Sequence, residues 1–303
     1  MSLDLESLRA FVKVVELGSF TRAATQLGTG KARISLRIKA LEDALGTRLV
    51  QRTTRLVRPT PDGEELLPRA RRWIQDGDEL GSLFQSGRGL RGVVRLDLPV
   101  RIARERIIPR LPELLARHPA LSIRVSTTDR RTSIVREGID LVLRVGSPGD
   151  DGLVGKRLGT LEMTNAASPD YVRRHGMPRS LADLGKHFVV HYAGPDDGEE
   201  ACFEHVVGTK VEEIPMRSVL SVSDSDAYYA ACVAGLGIIQ VPRAGSRASF
   251  ASGSLVEVLP EHVARPMPIS LLHAHGRSVP RRVRAVMTWL EELVRLWLAE
   301  SAA

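Results

Sequence analysis

Three short amphipathic segments, separated by glycines and all placed before residue 47, constrain this chain more than anything else in it. Leu5, Leu8, Val12 and Val15 recur at helical spacing with Phe11 beside the stripe, and Gly18 ends the segment. Ser19 is a good N-cap for a second helix, in which Phe20, Ala23, Ala24 and Leu27 fall at i, i+3, i+4 and i+7. The alanine pair is small enough to admit another helix at close range. After a break at Leu27-Gly28-Thr29-Gly30, the third segment carries Ile34, Ile38, Leu41 and Leu45 on one face. Lys31, Arg33, Ser35 and Arg37 occupy the other, and Gly46 stops it. Arg48 to Arg58 then reads as a two-stranded hairpin, a wing, with arginines at 52, 55 and 58.

Charge bears on what such a unit is for. The chain has 43 Lys plus Arg against 36 Asp plus Glu, a net +7. Residues 1–60 hold eleven basic and five acidic side chains, which leaves 32 and 31 for residues 61–303. A local basic excess is the footprint of a polyanion, either nucleic acid or an anionic membrane surface. A plain three-helix bundle with a solvated basic face has the same helical periods. The arginine-bearing wing favours DNA. In that reading the segments form a helix-turn-helix whose third helix enters the major groove. The wing arginines and Ser19 reach phosphates, which set position and not sequence.

The same stretch resembles a known family. Ser19-Phe20-Thr21-Arg22-Ala23-Ala24, Leu27-Gly28, Ser35, Ile38, Leu41-Glu42, Leu45-Gly46, Leu49, Arg52-Thr53-Thr54-Arg55 and Thr60-x-x-Gly63 are similar to the N-terminal signature of LysR-type transcriptional regulators. The resemblance implies DNA contacts from Lys31, Ala32, Arg33, Ser35 and Leu36 on the recognition helix. Arg52 and Arg55 would be the wing contacts, and Ser19 and Arg22 complete the candidate interface. The chain departs from the family where Gly30 replaces a usual Ser or Thr, Lys31 a usual Gln, and Leu36 a frequent Arg. Lys31 exchanges an amide suited to adenine for a charge suited to guanine or phosphate.

Thr60-Pro61 reads as the N-cap and first position of a long helix reaching about Gln85. Leu66, Ala70, Trp73, Gly77, Leu80 and Phe84 are spaced 4, 3, 4, 3, 4, a seam of period 3.5 expected to dimerise. The alternative is an ordinary amphipathic helix packed on its own chain. Pro68 in the second turn removes one backbone hydrogen bond. The resemblance implies the same dimerisation helix. Residues 86–92, with three glycines in seven positions, read as a hinge.

From residue 93 short apolar runs alternate with helical stretches. Strands are expected at 93–98, 121–126 and 139–145, and helices at 104–117, interrupted by Pro109 and Pro112, and at 130–137. That order predicts a parallel sheet covered by helices on both faces. A second set starts near Asn165, with strands at 189–192, 219–222 and 238–241 and a helix at 226–234. A strand at 268–273 and an amphipathic helix at 280–299 close the chain. Two α/β lobes with the chain end returning to the first predict a hinged domain like a periplasmic binding protein. The resemblance implies it too, through residues 115–119, Gly138-Ile139-Asp140-Leu141, Arg144-Val145-Gly146, Ser168-Pro169-Asp170-Tyr171 and Gly235-Leu236-Gly237, with crossovers near Met163 and Arg265. The expected fold is thus an N-terminal winged helix-turn-helix, mainly α, plus a long linker helix, then an α/β two-lobed effector domain. The divisions are 1–60 for DNA binding, 61–90 for linker and hinge, and 91–303 for the effector domain. Lobe I takes 91–162 and 267–303, and lobe II takes 163–266.

Ligands in such folds sit in the cleft, outside the carboxyl ends of the strands, where helix N-termini suit anions. The candidates are Leu98, Pro99, Val100, Thr127, Thr128, Arg144 and Gly146 from the first lobe, and Ser223, Asp224 and Gln240 from the second. Thr127 and Thr128 also fit a turn, and Ser223 also fits an N-cap. Arg144, a basic side chain ending an apolar strand, needs a partner, which is a carboxylate ligand, Asp140 or Asp224. Many family members carry a small hydroxyl residue where Pro99-Val100 stands. A small organic co-inducer is expected, with an anion among the options.

No catalytic pattern holds up. Gly235-x-Gly237 lacks the rest of a dinucleotide fingerprint, and Gly-x-Ser-x-Gly does not occur. His273-x-His275 puts two imidazoles on one strand face without a third ligand near in sequence, so neither metal nor cofactor is expected. Cys202 and Cys232 are too few for a disulfide framework and lie thirty positions apart, whereas the peroxide-sensing branch of the family keeps its pair close. Cys232 fits as a small buried residue. No run of about 18 apolar residues occurs. The N-terminus, with Asp4 and Glu6, lacks the apolar core of an export signal, so a cytoplasmic protein without a membrane partner is expected. The function expected is a LysR-type regulator and not an enzyme. It would bind double-stranded operator DNA as a dimer or tetramer, with a co-inducer between its lobes and RNA polymerase as a further candidate partner. The rivals are a ligand-independent DNA-binding regulator, a small-molecule enzyme fused to a DNA-binding domain, and a solute-binding protein, which would need an export signal.

Overall fold

The computed structural model describes residues 3–52, 57–82, 89–129, 138–147, 153–193, 200–273, 275 and 279–302. They fall into two compact units, Met1–Gly92 with Ser133–Ile139, and Val93–Thr132 with Asp140–Ala303.

The first unit runs α1 (Leu5–Leu17), α2 (Phe20–Gln26), α3 (Lys31–Leu45), β1 (Val50–Arg52), β2 (Val57–Pro59) and α4 (Pro61–Ser82). Local chemistry sets the helix ends. The Asp4 carboxylate accepts the Glu6 and Ser7 N–H groups at the start of α1, and Ser19 Oγ accepts the Arg22 N–H at 3.3 Å at the start of α2. α1 contacts α2, α3 and α4. Leu8, Phe11, Ile34, Ile38 and Leu49 are wholly enclosed between them, and each such side chain contributes about 1.5–3 kcal/mol by leaving water. β1 and β2 pair antiparallel, Val50 opposite Pro59 and Arg52 opposite Val57. Glu42 Oε1 accepts the N–H groups of Leu49 at 2.8 Å and Val50 at 3.2 Å, which fixes the wing to α3. Thr60 ties the wing to α4, since its Oγ1 donates to the Arg48 carbonyl at 2.6 Å and accepts the Gly63 N–H at 3.1 Å. Gly63 has to be glycine, because a Cβ there would overlap the Leu49 carbonyl oxygen.

Three of the six residues in the seam expected to dimerise, Leu66, Ala70 and Gly77, pack within the chain's own first unit. Ala70 is buried in the first unit's core with Leu66 packed beside it, and a Cβ on Gly77 would lie 3.0 Å from Leu5 Cδ2. Arg71 Nε donates to Glu16 of α1 at 3.2 Å. Leu66, Ala70 and Gly77 therefore belong to the chain's own core, because a 3.5-residue period marks a buried stripe without saying which helix covers it. Trp73 is 47% exposed. Leu80 lies near the end of α4, and Phe84 falls outside the described residues.

The second unit begins with β3 (Arg91–Leu98), α5 (Val100–Ile102), α6 (Leu111–Arg117), β4 (Ala120–Thr127), β5 (Leu141–Val145) and β6 (Val154–Leu161). It continues with β7 (Met163–Ala167), α7 (Pro169–His175), β8 (Phe188–Tyr192), β9 (Cys202–Val207), β10 (Lys210–Pro215), β11 (Arg217–Val222), α8 (Ser225–Val233), β12 (Ile239–Pro242), α9 (Arg243–Ala251) and β13 (Val256–Glu257). β14 (Met267–His273) and α10 (Arg281–Ala302) complete it. Between α5 and α6 the helical path widens to a π turn at Ala103–Ile107 and tightens to a 3-10 turn at Ile108–Arg110. Pro109 and Pro112, which have no N–H to give, fall in and just after the tightened stretch.

The first sheet has the order β4-β3-β5-β14-β6. β3 and β5 are parallel, but β14 runs antiparallel to both β5 and β6. The sheet is therefore mixed, not parallel, because β14 returns from the second lobe and enters from the opposite end. α10 covers it with Val283, Val286, Leu290 and Val294 against Leu96, Leu141, Leu143 and Ile269. In the second lobe β12 and β13 flank β7, both antiparallel, and β8 pairs parallel with β11. The chain leaves the first sheet at Leu161 and enters the second at Met163, and Met267 pairs with Leu161 on its return. The expected helix at 130–137 and most of the 86–92 hinge lie outside the described residues, and Arg91 and Gly92 belong to β3. β6, the β9–β10 hairpin and α9 were not expected.

Candidate functional site

The candidate DNA surface is the start of α3. Gly30 caps it without a side chain, so the first-turn N–H groups sit beside exposed Lys31, Ala32 and Arg33 at the positive end of the helix dipole. Leu36, one turn on, is 67% exposed, and Ser35 is half-buried. Arg37 is tied back to α1, its Nη1 donating to Glu6 Oε2 at 3.1 Å. Ser19 Oγ is engaged in capping α2, and exposed Arg22 donates from Nη1 to the Leu17 carbonyl at 3.4 Å. Arg52 ends β1, Arg58 is exposed on β2, and Arg55 falls outside the described residues.

The second site is a cavity of about 510 Å³ between the two lobes, within the usual size of small-molecule sites. Pro99, Arg101, Thr128 and Arg144 line it from one lobe, and Tyr192, Tyr228, Tyr229 and Gln240 from the other. Of the ten expected residues, Pro99, Thr128, Arg144 and Gln240 are in its wall. Leu98 is buried in the core of the first lobe, and Thr127 is exposed. The Val100 N–H is taken by Asp129, and Gly146 donates its N–H to the Pro268 carbonyl. Asp224, not Ser223, caps α8, its Oδ1 accepting the Ala227 N–H at 2.9 Å.

Arg144 has a partner that sequence reasoning did not weigh. Its Nη2 lies 3.0 Å from Asp97 Oδ2, with Asp97 fully buried. Asp140 is committed elsewhere, accepting the Arg95 N–H at 2.8 Å and lying 3.3 Å from His275 Nε2. Gln240 is a strut across its own lobe. Its Nε2 donates to Asn165 Oδ1 and the Glu204 carbonyl at 2.8 and 2.7 Å, and its Oε1 accepts the Glu204 N–H at 2.8 Å. The residues missed are Arg101 and the tyrosines. Arg101 pairs with Glu105 at 3.0 Å and lies 3.5 Å over the Tyr229 ring, while its buried Nε has no hydrogen-bond partner among the described residues. Burial lifts the Tyr228 hydroxyl far above its ordinary range, so it stays protonated, and its oxygen accepts the Gln240 N–H at 3.1 Å. Clustering of three tyrosines has no local sequence signal, because Tyr192 comes from a different strand than the helix carrying the other two.

Neither cysteine is in a disulfide. Cys232 is buried, its Sγ donates to the Ala166 carbonyl, and burial pushes the thiol up to about 12. His273 and His275 are inward-facing, and no group of three His, Cys, Asp or Glu among the described residues could hold a metal ion. No helix among the described residues is long and apolar enough to cross a membrane.

A winged helix-turn-helix followed by two α/β lobes around a cavity defines a transcriptional regulator with an effector-binding domain. Residues 5–64 match the family model for bacterial regulatory helix-turn-helix proteins of the lysR family, and residues 87–295 match the LysR substrate binding domain. The chain belongs to the LysR family of transcriptional regulators. It is 39% identical over 295 residues to the HTH-type transcriptional regulator YhjC of Escherichia coli K12, covering 97% of this chain and 99% of that protein. An HTH-type transcriptional repressor of Pseudomonas aeruginosa is 32% identical over 290 residues, 95% and 92% of the two chains. Among solved structures, CrgA of Neisseria meningitidis, a LysR-type transcriptional regulator, is 25% identical with a TM-score of 0.60, covering 98% of this chain and 99% of that one.

Proposed function

We propose that the chain binds an operator as a dimer or tetramer, and that a small organic co-inducer in the cavity alters how its DNA-binding units engage a promoter. The cavity carries this reading, since a molecule in it touches both lobes. Such a ligand has different affinities for different lobe arrangements, the condition for shifting a conformational equilibrium. The polar wall groups, Arg101 with its unpartnered Nε among them, suit a ligand with oxygen acceptors, a carboxylate included.

On the DNA side, Lys31, Ala32, Arg33, Ser35 and Leu36 approach base edges in this reading, and Arg52, Arg55, Ser19 and Arg22 approach phosphates. Exposed Leu36 suits a thymine methyl group. Two copies read two half-sites, with exposed Trp73 on the face of α4 left for the second copy. Promoter response then comes through DNA bending or contact with RNA polymerase in the cytoplasm. No catalytic step is assigned to the chain.

Footprinting on the DNA upstream of its own gene and of the divergent neighbour, across a salt series, tests the first half. The expected result is protection of half-sites about a helical turn or more apart that persists as salt rises. Protection that is salt-labile and unlocalised would refute it. A thermal-shift screen of metabolites on the full chain tests the second half, because a ligand raises stability by mass action.

A further inference from the structure

One side chain joins the two walls of the cavity. Asp129 follows β4 in the first lobe. Its Oδ1 accepts the Val100 N–H of the same lobe at 3.0 Å, and its Oδ2 accepts the Ser225 N–H of the second lobe at 2.6 Å. Burial and the negative charge of the same carboxylate hold the proton on the Tyr192 hydroxyl, at the end of β8 in the second lobe. Val100 and Ser225 open α5 and α8, and the first N–H of a helix has no acceptor inside it. Neighbouring contacts run between the same lobes. The Arg101 N–H donates to Ser225 Oγ at 3.3 Å, Arg101 Nη2 donates to the Gly245 carbonyl at 3.4 Å, and Arg104 Nη1 lies 2.9 Å from Asp226 Oδ2. The covalent crossings lie elsewhere in the wall, beside Met163 and Met267.

We propose that Asp129 is a lobe-to-lobe latch, which holds the effector domain closed over its cavity and must release for an effector to exchange. This rests on reading the cavity as the effector site. A carboxylate accepting N–H groups makes bonds roughly twice as strong as neutral ones, and here one carboxylate makes them to both lobes. Release therefore costs the cap at Ser225, while the bond to Val100 stays within the first lobe, and the Arg104–Asp226 and Arg101–Ser225 contacts part with it. Closure and opening become a two-state event with the cavity on its inside.

Amide hydrogen exchange at single-residue resolution on the full-length protein tests the latch. Because neither N–H has an intrahelical acceptor, protection at Val100 and Ser225 comes from Asp129. Both are expected to exchange at least about tenfold slower than in an unstructured chain. In Asp129→Ala both should approach the unstructured rate while Leu141 and Val142 in β5 stay protected. Asp129→Asn, which keeps the size and one acceptor oxygen, should free one of the two. Ser225 exchanging freely in the unaltered protein overturns the proposal, and so does Ser225 staying protected in Asp129→Ala. Should that variant fail to fold, the unaltered protein and Asp129→Asn still decide. A metabolite that stabilises the chain while Ser225 exchanges freely sinks the latch and spares the effector reading. Protection at Ser225 with no stabilising metabolite does the reverse.

Discussion

Asp97 on β3 holds the guanidinium of Arg144 on β5, two parallel neighbours in the first sheet, at 3.0 Å with Asp97 wholly out of water. The arginine at the cavity wall is thus anchored from below by the sheet itself. Removing one member of such a buried pair leaves the other uncompensated, at a cost of about 3–5 kcal/mol. Asp97→Ala should lower the unfolding free energy of the second unit by that amount, read as a fall in the urea midpoint at unchanged slope. An unfolding free energy within about 0.5 kcal/mol of the parent's would show that Arg144 does not depend on Asp97.

Arg33 stands exposed at the start of α3, where the helix presents its positive end. Arg33→Ala should weaken operator binding by about 1–3 kcal/mol and relax the preference at one base position. Titrations on operator and scrambled duplexes at matched salt separate this from a phosphate contact, which would weaken both equally.

Gly63→Ala should disrupt the junction of wing and α4, because the added methyl overlaps the Leu49 carbonyl. Overpacking of this kind costs about 1–3 kcal/mol. The melting temperature of the DNA-binding unit should fall, and operator affinity should fall with it as Thr60 loses its two partners.

The two thiols should differ in reactivity. Burial pushes Cys232 up to about 12, so almost none of it is thiolate at pH 8. Iodoacetamide at that pH should label Cys202 in the folded chain and leave Cys232 untouched until denaturant is added, as read by peptide mass spectrometry. Operator affinity should survive the labelling.

Acid should weaken the fold in two stages. His187 and His273 have lowered proton affinity through burial first, then through His175 and His275 respectively. The unfolded chain then binds more protons than the folded one, so stability falls as pH drops below about 6.5. Asp4 and Glu16 lie below their ordinary values although burial opposes it, through hydrogen bonds and nearby cations, and Asp183 does so through hydrogen bonds from Arg179 and Ser180. Their contributions hold above about 4.5 and fade under it. Melting temperatures from pH 8 to 4 should show both stages, and His187→Gln with His273→Gln should remove the first.

How much of this was legible in the sequence depended on distance along the chain. The helix-turn-helix was readable because its signals are local, with Ser19 before Phe20, Gly46 after Leu45 and Thr60 before Pro61 each acting within a few residues. The seam on α4 was visible as a period, but its partner was not. Leu5 and Leu66 belong to different helices, and only folding brings α1 onto Ala70 and Gly77. The cavity was half legible. Pro99, Thr128 and Arg144 sit where strands end, as topology requires, whereas Gln240 stands near the start of β12. Arg101 and the tyrosines enter from helices and from the far lobe, and Asp97 is hidden in mid-strand, where an apolar run gives no reason to look for a carboxylate. Strand direction was not legible at all, since alternation along β14 is the same whichever way it enters the sheet.

Leu161 and Met267 face each other across neighbouring antiparallel strands, a Cα separation of about 4.5–5.5 Å. Everything between them departs and returns through a gap that a two-residue Asn-Gly turn could close. The second lobe is therefore a cassette spliced into what would otherwise be a single hairpin. Excising residues 162–266 should leave a five-stranded sheet whose strand order needs no change. The excised piece, with its ends side by side, could be transplanted into a hairpin of another host.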